Sequence, residues 1–342
     1  MPRAGGFVYR DAAGATVRDP EVLARIARLA IPPAWQDVWI CADPVGHLQA
    51  TGRDSRGRKQ YRYHPDWSAG RGETKFDGLL NFGAVLPRIR DRVDRVLQHQ
   101  VDMKAPGRML VLATLVRLLD TTWLRIGNAD YARQNRTYGL STLRNKHVDV
   151  RGDALRLSFV GKSGVRHEVA LADRRVARVV RRCRDLPGQE LFQYVDDDGS
   201  VHRIDSADVN TWLAEAAGRR VTAKDFRTWH GSVLALDLTL SACAAQAAAG
   251  GAAPADVRAP ATQVLAAVAR RLGNTPAVCR KAYIHPQVLE LGSALADAAA
   301  SQVLSDAPWA LAPTPRRGLN LPERRLIGLL QHRRRKGECT AA

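Results

Sequence analysis

Leu272-Gly273-Asn274-Thr275-Pro276-Ala277-Val278-Cys279-Arg280-Lys281-Ala282-Tyr283-Ile284-His285-Pro286 is the stretch on which the reading of this chain turns. Gly273 ends one helix. Thr275-Pro276 opens the next, with a hydroxyl N-cap followed by proline at the first helical position. The pattern predicts Tyr283 two turns into that helix, directly after Arg280 and Lys281. A phenol beside two cations has two readings. It is a surface residue of a nucleic-acid-binding helix, or it is a nucleophile aimed at a phosphate.

The surrounding composition favours a polyanion as partner. The chain has 342 residues, enough for two domains, and a formal net charge of +18 spread along its length. Neutralising phosphates with release of counterions is the usual physical use of such an excess. Membrane association is disfavoured, because no apolar run spans a bilayer and Met1-Pro2-Arg3-Ala4-Gly5-Gly6 lacks an apolar signal core. Five scattered cysteines, with no paired spacing, give neither a zinc site nor a disulfide framework and point to a reducing, cytoplasmic compartment. The 52 basic residues comprise 44 arginines and eight lysines. Arginine grips phosphate with two donors but cannot release a proton near neutral pH, so any cationic proton donor must be one of the few lysines.

Outward from the opening stretch, the chain divides near residue 78. Residues 1–78 predict a small strand-rich domain. Asp19-Pro20 starts a helix with Val22, Leu23, Ile26 and Leu29 at helical spacing, and Val38–Cys41 and Leu48–Thr51 form a hairpin. A basic loop, Gly52-Arg53-Asp54-Ser55-Arg56-Gly57-Arg58-Lys59, runs into an alternating strand with Tyr61 and Tyr63 on one face and Gln60 and Arg62 on the other. Aromatics interleaved with cations suit a nucleic-acid surface; a solvated loop beside two half-buried tyrosines is an equal alternative. Ser68–Glu73 reads as a glycine-rich linker that would let the two domains close on a ligand.

Residues 79–342 predict a mainly helical domain. Phe82, Leu86, Ile89, Val93, Val96 and Gln100 follow a three-four spacing, and Met109–Leu119 is apolar nearly all round, a central core helix. That helix delivers Arg125, whose bland reading is a pair with Asp120 or Asp130. Ala154–Val160 and Val165–Leu171 alternate around Gly161-Lys162-Ser163-Gly164, a β-hairpin with Lys162 at its tip. Asp173 to about Arg184 is a basic helix, Ser206 caps another that ends near Gly218, and Thr222-Ala223-Lys224-Asp225 resembles a capping box. The helix after it carries Arg227 one turn in and buries Val233, Leu234, Leu236, Leu238 and Leu240. Ala244–Pro260 reads as a helix end and a mobile loop, and Leu326, Ile327, Leu329 and Leu330 mark a last amphipathic helix.

Taken together, Arg125-Ile126-Gly127-Asn128, Thr137-Tyr138-Gly139-Leu140-Ser141-Thr142-Leu143-Arg144-Asn145-Lys146-His147, Phe159-Val160-Gly161-Lys162, Lys224-Asp225-Phe226-Arg227-Thr228 and Gly273–Pro276 with Arg280–Tyr283 resemble the poxvirus-like (bacterial and viral) type IB DNA topoisomerases, the bacterial members above all. Gly52–Tyr63 extends the resemblance into the N-terminal part. It implies an α+β fold, a strand-rich N-terminal domain followed by a mainly helical catalytic domain with a β-hairpin. It implies relaxation of supercoiled DNA through a 3′-phosphotyrosyl intermediate, with no cofactor and no metal, by a monomer clamping double-stranded DNA, cytoplasmic and nucleoid-associated. Tyr283 is then the nucleophile, Arg125 and Arg227 the cations on the non-bridging oxygens, and Lys162 the proton donor to the leaving oxygen. Asn274 stands where many family members have histidine; it can donate a hydrogen bond but carries no charge. His230 and His285 are nearby in sequence and read as structural or phosphate-facing rather than as replacements. The DNA contacts implied are Arg58, Lys59, Gln60, Tyr61 and Tyr63 from the N-terminal domain, with Lys224 near the scissile phosphate and Asn128 where some relatives have lysine. A tyrosine recombinase shares the catalytic plan but normally shows His-x-x-Arg where this chain has Lys224-x-x-Arg227. A non-catalytic basic DNA-binding protein would account for the charge but not for the matched set.

Overall fold

In a computed structural model of the chain, the described residues are 2–3, 6–55, 57–99, 105–248, 258–292 and 298–340. The chain forms two compact units, Met1–Lys75 and Phe76–Ala342, and the fold is α+β. In the first unit, β1 (Pro2–Arg3) pairs with β2 (Gly6–Phe7), and α1 (Pro20–Arg28) precedes a three-stranded antiparallel sheet. That sheet has the order β3 (Gln36–Ile40), β4 (Leu48–Arg53), β5 (Lys59–Tyr63). Asp19 caps α1 by accepting from the Glu21 and Val22 amides. Tyr61 and Tyr63 are exposed rather than half-buried, on the same face of β5 as Lys59.

Residues 68–78, read from sequence as a flexible linker, are helical, within α2 (Pro65–His99). Glycine in a helix interior costs about 1 kcal/mol relative to alanine, which a long, well-packed helix absorbs. The core stripe of α2 is Leu79, Phe82, Leu86, Ile89, Val93 and Leu97; Leu97 is fully buried where the sequence pattern pointed to Val96. Gln100 lies outside the described residues, as do residues 249–257 of the stretch Ala244–Pro260, whose two described ends are helical.

α3 (Arg108–Thr122) is the centre of the second unit. Leu110, Val111, Leu112, Ala113, Leu115, Val116, Leu118 and Leu119 are all essentially inaccessible, as a helix apolar on every side requires. α4 (Ala129–Asn135) follows, then the antiparallel sheet β6 (Val148–Arg151), β7 (Ala154–Val160), β8 (Arg166–Ala172). Its inward positions Leu155, Leu157 and Phe159 join the same core. α5 (Arg174–Arg184), the hairpin of β9 (Gln193–Val195) and β10 (Val201–Arg203), and α6 (Ser206–Ala217) pack against α3. The cap of α6 is Asp205, not Ser206: its carboxylate accepts from the Ala207 and Asp208 amides at 2.7 and 2.9 Å. An anionic acceptor suits the positive helix N-terminus better than a hydroxyl.

α7 (Ala223–Ala248) begins with Asp225 accepting from both the amide and the hydroxyl of Thr222. Val233, Leu236 and Leu240 are buried, while Leu234 and Leu238 lie at the core margin. α8 (Arg258–Leu272), α9 (Pro276–Ala282), α10 (Pro286–Leu291), α11 (Ala298–Ser305), α12 (Pro308–Leu311) and α13 (Leu321–Thr340) complete the chain. Among the described residues, no helix is long and apolar enough to cross a membrane.

One polar network ties four helices together. Arg90 of α2 donates to both oxygens of Asp120 on α3, at 2.8 and 3.0 Å, and to both oxygens of Glu323 on α13, at 2.9 and 2.7 Å. His230 of α7 bonds Asp120 at 2.9 Å, and the Trp229 indole donates to Glu323 at 3.2 Å. Burial alone would push both carboxyls up, but His230 and Arg90 hold Asp120 well below the usual carboxylate range, and Arg90 lowers Glu323.

Both carboxyls are depressed in the folded state, so their contribution is present above the unfolded carboxylate range near pH 4 and disappears as pH falls through the folded values. Glu323→Ala is expected to destabilise this unit by about 3–5 kcal/mol at neutral pH, because it leaves Arg90 half-paired inside the protein. Urea denaturation across pH should show that penalty shrinking in acid. A pH-independent difference would show that packing, not charge, is what Glu323 supplies.

Candidate active site

α3 ends at Trp123, whose backbone is left-handed with φ 62° and ψ 17°. The chain then turns into Leu124-Arg125-Ile126-Gly127. The Arg125 and Ile126 carbonyls accept from Leu140 and Ser141, so the Thr137–His147 segment braces this turn from behind. Arg125 does not pair with Asp120 or Asp130, since those carboxylates hold Arg90 with His230, and Arg133. Its Nη2 donates instead to Oδ1 of Asn274. Arg125 Nη1 and Asn274 Nδ2 are buried with no hydrogen-bond partner.

Arg227, one turn into α7, is 3% exposed. Its Nη1 donates to the Trp123 carbonyl and its Nη2 to the Leu272 carbonyl, the latter at 2.7 Å. Arg227 Nε lacks a partner that meets hydrogen-bond geometry. Among the described residues, neither Arg125 nor Arg227 forms an ion pair with a carboxylate. Burial, and then the charge of Arg125, push the Arg227 guanidinium down to about 10.

Tyr283 is brought to the same place. It is the residue that ends α9, not one inside it, because His285-Pro286 starts the next helix at once. α7 fixes its backbone. The Ser232 hydroxyl donates to the Tyr283 carbonyl at 3.4 Å and accepts from the His285 amide at 2.9 Å. Gly231 is obligatory there, since a Cβ at that position would lie 2.6 Å from the Tyr283 oxygen. The guanidinium carbon of Arg227 lies 5.0 Å from the centre of the Tyr283 ring. Burial would raise the phenol, but the charges of Arg227 and Arg125, a hydrogen bond with Arg227 and the charge of Lys224 outweigh it, and Tyr283 is lowered from its ordinary value.

The fold thus gathers Arg125, Arg227, Asn274 and Tyr283, with the charge of Lys224 felt by the phenol. Lys162 stands apart, exposed on the hairpin tip. Arg280 and Lys281, just before Tyr283 in sequence, are exposed on α9. Asn128 caps α4, accepting from Asp130 and Tyr131 at 2.9 and 3.1 Å. Of the N-terminal set, Tyr61 and Tyr63 stack at 6.1 Å on an exposed face, with the Lys59 ammonium 5.8 Å from the Tyr61 ring. Arg58 and Gln60 instead both bond Asp54. His230 is buried against Asp120, and the His285 ring caps α10. The buried His147 ring accepts from the Arg144 amide at 3.0 Å.

Sequence reading passed over His167 on β8. Its ring stacks on Phe159 at 5.2 Å and fills the space over Gly161 and Gly273. A Cβ built at Gly273, whose φ is +60°, would lie 2.4 Å from Cε1 of that ring. His167 therefore wedges the hairpin that carries Lys162 against the turn that carries Asn274. Burial, then the charges of Arg125 and Arg227, push it down to about 4, so it is neutral at physiological pH. A lone histidine in an alternating strand gives no sequence signal of this position. Cys279, one turn before Tyr283, is likewise buried, and burial raises its thiol. Among the described residues, no cluster of metal-ligating side chains occurs.

Residues 64–303 match the profile of the eukaryotic DNA topoisomerase I catalytic core, and residues 6–54 match that of the bacterial DNA topoisomerase IB N-terminal domain. The chain is 32% identical over 280 residues to DNA topoisomerase 1B of Acanthamoeba polyphaga mimivirus, covering 81% of this chain and 80% of that one. It is 26% identical over 161 residues to DNA topoisomerase I of Monkeypox virus and 25% identical over 164 to DNA topoisomerase 1B of Vaccinia virus (strain Copenhagen). Those two matches cover 47% of this chain and 49% of each viral protein.

The two arginines hold Tyr283 below its ordinary pKa against burial, so removing one exposes the opposing effect. In Arg227→Gln, the Tyr283 phenol is expected to titrate at or above the ordinary tyrosine value near 10. Ultraviolet difference titration against Tyr283→Phe isolates that phenol from the other tyrosines. An unmoved titration in Arg227→Gln would refute the electrostatic account.

Proposed function

The chain belongs to the type IB DNA topoisomerase family, and from that premise we propose that it relaxes supercoiled double-stranded DNA through a covalent bond to Tyr283. In this reading the phenolic oxygen of Tyr283 attacks the phosphorus of one strand. The P–O bond to the 5′-oxygen breaks as the Tyr–O–P bond forms, leaving a 3′-phosphotyrosyl link and a free 5′-hydroxyl. The free end rotates, and the 5′-hydroxyl then attacks the phosphotyrosine to restore the strand. Bond energy is retained in the intermediate, so neither ATP nor a metal ion is needed to drive resealing.

The observation that carries this reading is the set of buried donors beside the phenol. Arg125 Nη1 and Asn274 Nδ2 meet no hydrogen-bond partner, Arg227 faces the Tyr283 ring, and among the described residues the two guanidiniums have no carboxylate. A buried cation and a buried donor left unmatched are each costly. A phosphodiester with two non-bridging oxygens satisfies both, and more strongly as charge grows in the transition state. Asn274 donates to one such oxygen, its own oxygen being held by Arg125. Lys162 protonates the leaving 5′-oxygen, delivered by the hairpin once DNA is bound. Lys59, Tyr61 and Tyr63 form a contact surface for the duplex, and a monomer whose two units both engage DNA suffices. A nucleoid location in the cytoplasm follows from such a substrate.

A supercoiled plasmid in EDTA tests this directly. Wild type is expected to relax both positive and negative supercoils and to leave a DNA-linked protein band after denaturation; Tyr283→Phe should do neither. Arg125→Ala and Arg227→Ala should slow cleavage about 10²–10³-fold, and Asn274→Ala about 10–100-fold. Relaxation by Tyr283→Phe would refute the mechanism. Strand exchange between plasmids without relaxation would identify a recombinase, and binding without any covalent product would identify a non-catalytic DNA-binding protein. Affinity should also fall steeply with salt, with a log–log slope of about −0.9 per phosphate neutralised; a flat response would contradict a phosphate-dominated interface.

A further inference from the structure

Trp123 ends α3 in a left-handed conformation that usually falls to glycine or asparagine. It is a bulky residue in the left-handed region, φ 62°, where L-residues carry a penalty of about 1–2 kcal/mol. Such strain persists only where the surroundings over-determine it, and it concentrates at functional sites. The surroundings are specific. On one side the His230 ring lies parallel to the indole, with centroids 5.0 Å apart and planes 7° apart. His230 is itself held by Asp120, whose two oxygens are fixed by Arg90. The Arg271 guanidinium carbon also lies over the indole, 4.5 Å from its centroid, and Arg271 bonds the Thr121 carbonyl at 3.3 Å. The Trp123 carbonyl accepts from Arg227 Nη1.

We infer that Trp123 is a positioning residue for the strand-cleavage reaction: His230 and Arg271 hold its indole so that its left-handed carbonyl fixes the pose of Arg227. Arg227 has two anchoring acceptors, and the second, Leu272 O, comes from the end of another helix. Two carbonyls from two elements set the plane of the guanidinium over the Tyr283 ring, 5.0 Å from its centre. A small rotation of the Trp123 peptide would tilt that plane without removing a charge. Misplacement by about 1 Å is enough to lower a rate 10²-fold. The chain of contacts runs from Arg90 through Asp120, His230 and Trp123 to Arg227, so the core network described above and the reacting groups share one set of side chains. This inference rests on the cleavage reaction proposed above.

The test is single-turnover formation of the covalent complex on a nicked suicide duplex, in a double-mutant cycle with Arg227. Trp123→Gly is the informative variant. Glycine accepts the left-handed backbone without a steric penalty and keeps the carbonyl, but it removes the ring by which the peptide is held. Trp123→Gly is expected to cleave about 10–100-fold more slowly, with DNA affinity within about threefold of wild type. Trp123→Phe should recover most of that loss, since an aromatic face is restored. In the Arg227→Ala background, Trp123→Gly should slow cleavage by less than about twofold, because the group it orients is already gone. Arg271→Gln, an exposed substitution that leaves the core untouched, should show the same background dependence with a smaller effect. Equal slowing in both backgrounds, or a wild-type rate in Trp123→Gly and Arg271→Gln, would overturn the inference while leaving the cleavage mechanism intact. Absence of any covalent complex with wild type would instead overturn the reading on which it rests.

Discussion

A buried guanidinium held by two carbonyl oxygens and no carboxylate is the constraint from which this site follows. Arg227 receives its acceptors from Trp123 and Leu272, each at the C-terminal end of a helix, α3 and α8. Helix C-termini expose unpaired carbonyls and the negative end of the macrodipole. They fix the position of a cation and compensate part of its desolvation, but they do not neutralise it. The charge stays available to whatever anion enters. That explains why both helices must stop where they do, one at a left-handed tryptophan and the other at Gly273, before the chain can turn toward Asn274 and Tyr283.

The contrast with Arg90 makes the point by opposition. Arg90 is also largely buried, yet it is matched to two carboxylates, with the Gly318 carbonyl as an additional acceptor. That pairing is structural, joining α2, α3 and α13. It also has a consequence for the site. Asp120 lies five residues before Arg125 and is the nearest acidic residue to it in the sequence apart from Asp130. Because Arg90 and His230 occupy Asp120, Arg125 is left to pair with a neutral amide. One arginine is satisfied so that another is not.

Much of this was legible from residues alone. α3 announced itself because an all-round apolar helix has nowhere to go but the centre, and the β7–β8 hairpin because strict alternation and a Gly-Lys-Ser-Gly turn admit little else. Other features were set by tertiary contacts and left no mark. The left-handed backbone at Trp123 violates local preference and is intelligible only with His230 and Arg271 in place. The 68–78 segment reads as a linker by its glycines, yet its backbone continues a helix. The Thr275-Pro276 start signal places Tyr283 two turns into a helix. The competing start signal at His285-Pro286 cut that helix to one that ends on the tyrosine. His167 shows the limit most plainly, since what makes it important is its distance from two glycines and two arginines, none of which is adjacent in sequence.

The neutrality of two residues then becomes the last step. Arg125 and Arg227 already repel, and each additional positive charge nearby would raise the cost of assembling the site without DNA. Two of the polar groups beside them carry no charge. His167 is pressed into a space where burial and the two arginines keep its imidazole neutral. Asn274 needs no such suppression. Because Arg125 donates to Oδ1, the carboxamide has a single allowed orientation, and Nδ2 is left as a fixed neutral donor. Lys162, the one further cation the chemistry asks for, stands on an exposed tip rather than in the cluster. The unliganded site therefore holds two guanidiniums that have no carboxylate among the described residues, with the charge of Lys224 also acting on the phenol. Asn274 adds a donor aimed by its neighbour and adds no charge.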